Sequence, residues 1–366
     1  MIFRLVKFEW QKIRQHRMIW LLFCLVLIGG IVFSVGRMGM PWVERTNAPF
    51  EGKLTNDLIS QAKEEKKRLN SAQSMTALER KKYSIYEDVL QTAELNKTQV
   101  KRIKALRSQA QASSSELKKR KLMQQASLLS KVDYQHVGNY RTLDQLLVFL
   151  GTGGYALIGV ILILITSTTY SREAQMGVSQ LLYSSKNGRK TLLTAKLLLS
   201  TLLITGTILL YNIIQWILFF RNPSGWELSI QNIYPDSPYP LTLGQLYLIA
   251  VLMQWLVSLS LIVTFTFLSL LVRHVLVVIL LSSVWLLGPF FIESLFFGPM
   301  VGENILSLLY LTQGQSLMIF VLFRDYATIS IFGYPIILPI LVVAFSVGVI
   351  LLFGWGCYRL VSRQSA

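Results

Sequence analysis

Six apolar stretches, each near the length that crosses a bilayer, divide this chain and leave it few architectures. About 20 consecutive apolar residues span a hydrocarbon core as a helix, and lipid offers no partner to an exposed peptide group, so such stretches are expected to be helical. Hydropathy places them at residues 18–36, 146–169, 192–220, 241–272, 275–297 and 335–358. The expected fold class is all-α: a polytopic membrane protein of six transmembrane helices, with a long helical extracellular insertion between the first and second. Two of the stretches exceed the hydrocarbon thickness, which tilt or interfacial ends accommodate.

Orientation follows from the basic residues, because Lys and Arg in short loops tend to stay in the cytoplasm. With both termini inside, the inside segments hold Arg4, Lys7, Lys12, Arg14, Arg17, Arg172, Lys186, Arg189, Lys190, Lys196, Arg273, Arg359 and Arg363, whereas the short outside loops hold only Arg221 and Arg324. The remaining basic residues lie between Arg37 and Arg141, a segment too long for the rule to count. A net charge of +17 could point to nucleic acid, yet its inside part clusters at span ends, where anionic headgroups attract it. No nucleic-acid partner is expected; membrane lipid is. The first span follows a 17-residue basic lead and shows no small-x-small cleavage signal, so it reads as an uncleaved anchor. Cys24 and Cys357 both fall within spans, which leaves the insertion no disulfide framework.

Residues 305–323 are also apolar, but Gln313, Gly314 and Gln315 interrupt them, and a seventh crossing would put Arg359 and Arg363 outside. A re-entrant region at 298–334 is the expected alternative, tolerable where protein buries its broken backbone. The domain plan is therefore an interfacial helix at 1–17, a first span at 18–36, an extracellular helical domain at 37–145, and the remaining spans within 146–366.

Residues 53–137 contain no Gly, Pro, Phe, Trp or Cys and are dominated by helix-forming polar residues. Thr76 with Glu79, and Ser113 with Glu116, fit the capping-box spacing in which a hydroxyl and a carboxylate satisfy free amides reciprocally. Helices are expected near 54–70, 77–112 and 114–133. The longest would reach about 50 Å, so the insertion is expected to stand well clear of the membrane. Ile85, Val89, Val100, Ile103, Leu106 and Leu117 form a thin stripe that suits helix pairing.

The sequence shows no catalytic constellation. His16, His136 and His274 are scattered, no Cys cluster or H-E-x-x-H exists, and neither a nucleophile elbow nor a phosphate-binding loop occurs; Gly188 to Thr191 only superficially resemble the end of one. The spans also lack the mid-membrane charges of ion-coupled carriers, with Glu293 near an outer end as the nearest case. Thr205, Asn212, Gln215, Gln254 and Ser258 are uncharged polar residues within spans, suited either to joining helices or to lining a candidate pathway.

Two segments flanking the spans stand out. Phe3, Val6, Trp10 and Ile13 share one helical face beside Arg4, Lys7, Gln11 and Arg14, the pattern of a helix lying in the headgroup layer. In the loop after the second span, Ser171 can cap a short helix with Glu173 in its first turn, and Asn187 with Gly188 supplies a stop.

This order of a basic amphipathic lead helix, a span ending in Ser-Arg-Glu-x-x-x-Gly, a Leu-Leu stretch, a basic turn and Lys196 opening the third span resembles the membrane subunit of type-two-exporter ABC transporters. The insertion resembles a variant common in Gram-positive bacteria. The resemblance implies a permease subunit in the bacterial cytoplasmic membrane, paired with a second permease and docked by two cytoplasmic ABC ATPase subunits. It implies a coupling helix at 171–184, with Arg172, Glu173, Gly177, Leu181 and Leu182 at the ATPase-docking surface, and an interfacial connecting helix at 3–17. ATP and Mg would belong to the partner subunit; this chain itself would carry no cofactor, no metal and no catalysis. The expected function is ATP-driven export of a hydrophobic or amphipathic peptide, lipid or drug. The alternative is a non-transporting mechanotransmitter or signalling protein whose external helices an ATPase drives; an ion-coupled carrier is a further alternative, disfavoured by the missing charges.

Overall fold

The computed structural model describes residues 2–15, 17, 20, 21, 23–25, 27–29, 32, 52–70, 76–138, 140–166, 169–177, 188–219, 225–296, 316, 317 and 320–363. In chain order the elements are α1 (Ile2–Gln15), β1 (Gly52–Lys53), α2 (Asn56–Asn70), α3 (Ala77–Ala112), α4 (Glu116–Leu129), β2 (His136–Val137), α5 (Arg141–Val148), α6 (Gly154–Thr166), α7 (Ser171–Gln175), α8 (Gly188–Phe219), α9 (Leu243–Leu271), α10 (Val275–Phe296), α11 (Phe320–Arg324), β3 (Thr328–Ile331), β4 (Tyr334–Ile337) and α12 (Leu338–Arg363). The protein is all-α in architecture. Among the described residues four helical stretches, Leu143–Gln175, Arg189–Ile217, Leu243–Leu271 and Leu338–Arg363, are long and apolar enough to cross a membrane, and Val275–Pro289 is a shorter apolar helix. Most of the expected first span lies outside the described residues.

The bundle is built around α9, which packs on α6, α8, α10 and α12. A capping box starts it: Thr242 Oγ1 accepts from the Gln245 amide and Gln245 Oε1 accepts from the Thr242 amide. The helix that carries the second apolar stretch begins at Arg141, ahead of the stretch itself, and between α5 and α6 its backbone opens into a π turn at Phe149–Gly153. Such a turn offers carbonyls to side chains, which lipid would leave unsatisfied. Here the Tyr211 hydroxyl donates to Phe149 O at 2.7 Å and Gln254 Nε2 to Leu150 O at 3.2 Å. Glycine is required alongside: a Cβ on Gly153 would collide with the Tyr211 hydroxyl, and one on Gly154 would stand 2.5 Å from Gln254 Nε2.

The last span starts at Leu338, not at 335. Tyr334–Ile337 instead pairs antiparallel with Thr328–Ile331. Phe332 and Gly333 turn the hairpin at φ 50° and 79°, the two positive values of a type I′ turn whose twist matches the strands. Much of the expected re-entrant region lies outside the described residues; its described end is α11 and this hairpin.

The insertion is clamped at its base by the two-residue pairing of β1 with β2. Thr76 caps α3 with a complete capping box, as its spacing predicts. Ser113 instead terminates α3, and Ser115 caps α4 by accepting from the Lys118 amide; the Ser-Ser-Ser run permits either register, and the chain must first leave one helix before starting the next. Of the expected stripe Val89 is fully buried, whereas Val100 is exposed. The insertion does not stand free of the bundle. Thr92 Oγ1 donates to Asn232 Oδ1 at 2.9 Å with both residues buried, Arg102 pairs with Asp236 at 3.0 Å, and Arg120 stacks on Tyr334 of the hairpin. Tyr326 adds a hydrogen bond to Lys121 O. These partners sit on the loop between α8 and α9 and on the segment before α12, so the insertion lies against the end of the bundle remote from α1. A polar surface helix finds such partners where loops offer them, which helix length alone does not reveal.

Candidate functional site

At the end of the bundle that carries α1, four ionised side chains from three separated segments converge. Lys12 on α1 approaches Glu9 Oε1 at 2.8 Å and Glu173 Oε1 at 3.0 Å; Lys196 on α8 approaches the other carboxylate oxygen, Glu173 Oε2, at 2.6 Å. Lys196 also donates to Thr169 O at 2.9 Å and lies 4.3 Å above the Tyr170 ring. Its side chain is 2% exposed and that of Glu173 15%. Charges so desolvated persist only when paired and hydrogen-bonded, and the bridging carboxylate between two ammonium groups meets that condition. Burial alone would lower the Lys12 pKa, but the hydrogen bonds and charges of Glu9 and Glu173 outweigh it and hold the group above 10.5.

The local sequence explains the placement. α1 packs along the start of α8. Ile13 reaches the main core and Val6 and Trp10 are half-buried, whereas Phe3, on the same face at the start of the helix, is exposed and Glu9 is buried. Glu9 lies three residues after Val6 and four before Ile13, so its position within the apolar stripe was the available signal for its burial, which charge alone argued against. On α7, Ser171 does not cap the helix. The amides of Tyr170 and Ser171 donate to Ser269 Oγ on α9 at 2.9 and 3.0 Å, and Gln175 Nε2 lies 3.2 Å from His274 Nδ1 at the start of α10. Gly177 follows at φ 70°, a left-handed conformation that ends the helix and that a side chain rarely adopts. Thus α7 is a single short helix fastened to α1, α8, α9 and α10.

Of the docking residues that the resemblance implied, Glu173 turns its carboxylate inward, Arg172 is half-buried on the wall of the adjoining cavity, Gly177 is exposed, and Leu181 and Leu182 lie outside the described residues. Met176 is exposed at the end of α7. The polar span residues lie elsewhere in the bundle, where Thr205 and Asn212 join neighbouring helices and Ser258 bonds within its own. Trp255 Nε1 donates to Thr205 Oγ1, the Tyr247 hydroxyl to Asn212 Oδ1, and Ser258 Oγ to Gln254 O, while Gln215 is fully buried one turn from Tyr211. No group of three or more His, Cys, Asp or Glu among the described residues is arranged to hold a metal ion.

No curated protein and no solved structure is detectably similar to the chain. The family described as ABC-2 family transporter protein, however, matches residues 3–353, which includes every element from α1 to most of α12. With helices of membrane-crossing length and a match over nearly its whole length, the chain belongs to the ABC-2 family of transporter proteins and is a multi-pass permease of that class.

Proposed function

We propose that this permease exports a hydrophobic or amphipathic substrate, powered by separate ATPase subunits, with α7 as the element through which their motion enters. The supporting observation is the Glu173 bridge: a displacement of α7 cannot occur without moving Lys12 on α1 and Lys196 on α8. Ser269 carries the same displacement to α9, the hub of the bundle. Glu173 therefore acts as the linkage, and the exposed end of α7 around Met176 and Gly177 receives the ATPase. Both termini and α7 face the cytoplasm in this reading, as the distribution of short-loop basic residues favours. A second copy of the chain or a related permease completes the pathway, and catalysis resides in the ATPase. The apolar spans suit a cargo with little charge. Co-purification from the native membrane, followed by an ATPase assay with added amphipathic peptides, tests the proposal. Recovery of an ABC ATPase whose rate such cargo raises supports it; an ATPase that no such cargo affects opposes the substrate class.

A second reading, mechanotransmission, is favoured by the docking of the insertion on the 225–242 loop and on the β3–β4 hairpin. Those contacts would pass span motion directly to α3 and α4. Deleting residues 54–135 and joining β1 to β2 through a short turn separates the two: a transporter retains part of its export, whereas a mechanotransmitter loses all function while its ATPase stays coupled.

A further inference from the structure

Two cavities share three wall residues beside α1. The first, about 290 Å³, is lined by Glu9, Lys12, Arg172, Glu173, Lys196 and Ser200 on its polar side. The second, about 230 Å³, is apolar and runs along α6 and α8 between Trp20, Phe23, Ile161, Leu203, Gly206 and Leu210. Ile13, Leu164 and Ile165 belong to both, so a charged chamber continues into a greasy groove. Each is near or below the lower end of the size of small-ligand sites, about 300–1,000 Å³, and joined they fall within it.

The geometry points to a binding site for one anionic phospholipid, its phosphodiester in the charged chamber and one acyl chain in the groove. Three observations select that occupant. The chamber holds three cationic and two anionic side chains, a surplus of one positive charge that a single phosphodiester neutralises. Ser200 adds a hydroxyl to the same wall. The groove walls are almost entirely aliphatic and aromatic, which suits hydrocarbon and not a polar cargo. This site does not depend on the direction of transport or on the nature of the cargo.

Gly206 makes the inference testable. Nothing lies within 4 Å of a Cβ built there, so a side chain has room to start from that position, and Gly206→Leu directs bulk at the groove. Leu210→Trp narrows the same groove from the next turn of α8, and leaves every charged residue in place. The measurement is native mass spectrometry of the purified full chain in mild detergent, titrated with phosphatidylglycerol or with phosphatidylcholine of the same chains. Wild type is expected to bind one phosphatidylglycerol in clear preference to phosphatidylcholine. Displacing about two methylenes weakens binding about tenfold, and Gly206→Leu is expected to lose at least that much with its thermal unfolding temperature in lipid-free detergent not lowered. If Gly206→Leu fails to fold, Leu210→Trp decides by the same reading. Equal binding of the two lipids, wild-type affinity in the folded variant, or displacement of phosphatidylglycerol by equimolar inorganic phosphate would each overturn the site.

Discussion

Replacing Glu173 by Gln removes one charge and no bulk, and the structure sets the size of its effect. The variant strips Lys196, 2% exposed, of the carboxylate charge at 2.6 Å and leaves it only neutral acceptors, Thr169 O and the new amide oxygen. Breaking a buried ion pair by removing one partner costs about 3–5 kcal/mol, because the other charge stays desolvated. The Lys12 arm adds little: its side chain is 37% exposed and still pairs with Glu9, and so accessible a bridge contributes about 0–1 kcal/mol. The expected loss is therefore about 3 kcal/mol, at the low end because the amide oxygen of Gln can still accept from Lys196. Adding Lys196→Met removes the stranded charge. Although it forfeits the charged bond to Thr169 O, worth about 1.5–3 kcal/mol, the double variant is expected to be more stable than Glu173→Gln alone, because no desolvated charge remains. Equilibrium unfolding of the detergent-purified protein, followed by tryptophan fluorescence for the wild type, both single variants and the double, measures this cycle. A Glu173→Gln loss below about 0.5 kcal/mol, or effects additive within about 0.5 kcal/mol, would refute the reasoning that a desolvated charge pair holds α7 in place.

Three further outcomes follow from the same geometry. Ser269→Ala removes the acceptor shared by the Tyr170 and Ser171 amides and should cost about 1–3 kcal/mol by the same unfolding assay, with weaker stimulation of a co-purified ATPase. Thr92→Val takes the hydroxyl from the buried Asn232 carbonyl and is expected to loosen the insertion, read as faster protease cleavage within 77–129 with the spans intact. The Thr76 amide and hydroxyl lower the Glu79 pKa below 4.5, so the α3 cap contributes stability above that value and loses it as the pH falls through the depressed one; hydrogen exchange of the first turn should rise correspondingly in acid and not in Thr76→Ala, where the exchange is already fast.

How much of this was legible beforehand depended on the range of the interaction. Hydropathy located the cores of α6, α8, α9 and α12, because transfer of apolar residues to lipid is a local property of the chain. Thr76 and Glu79, three residues apart, likewise revealed the start of α3. The β4 strand was hidden because Tyr334–Ile337 runs without a polar break into α12, and an apolar run alone cannot distinguish strand from helix. Its turn carries Phe332 at positive φ, where composition gives only Gly333 as a hint. The π turn escaped notice for a similar reason: the carbonyls it releases are satisfied by Tyr211 and Gln254, far along the chain. At the site, the loop sequence pointed to Glu173 and Lys196 individually. Their meeting with Glu9 and Lys12 is tertiary, and it turns the Glu173 carboxylate inward.

In the proposed reading α7 receives the motion of an ATPase on the side of the membrane opposite the insertion. Site-directed cross-linking tests it most directly, with Met176→Cys at the exposed end of α7 and Phe332→Cys at the exposed hairpin tip, each in a Cys24→Ser background that leaves the buried Cys357 in place. In native membranes the account predicts that Met176→Cys cross-links to an ABC ATPase and resists an impermeant maleimide added from outside, whereas Phe332→Cys is labelled from outside and captures no ATPase. External labelling of Met176→Cys, or an ATPase adduct at Phe332→Cys and none at Met176→Cys, would contradict it.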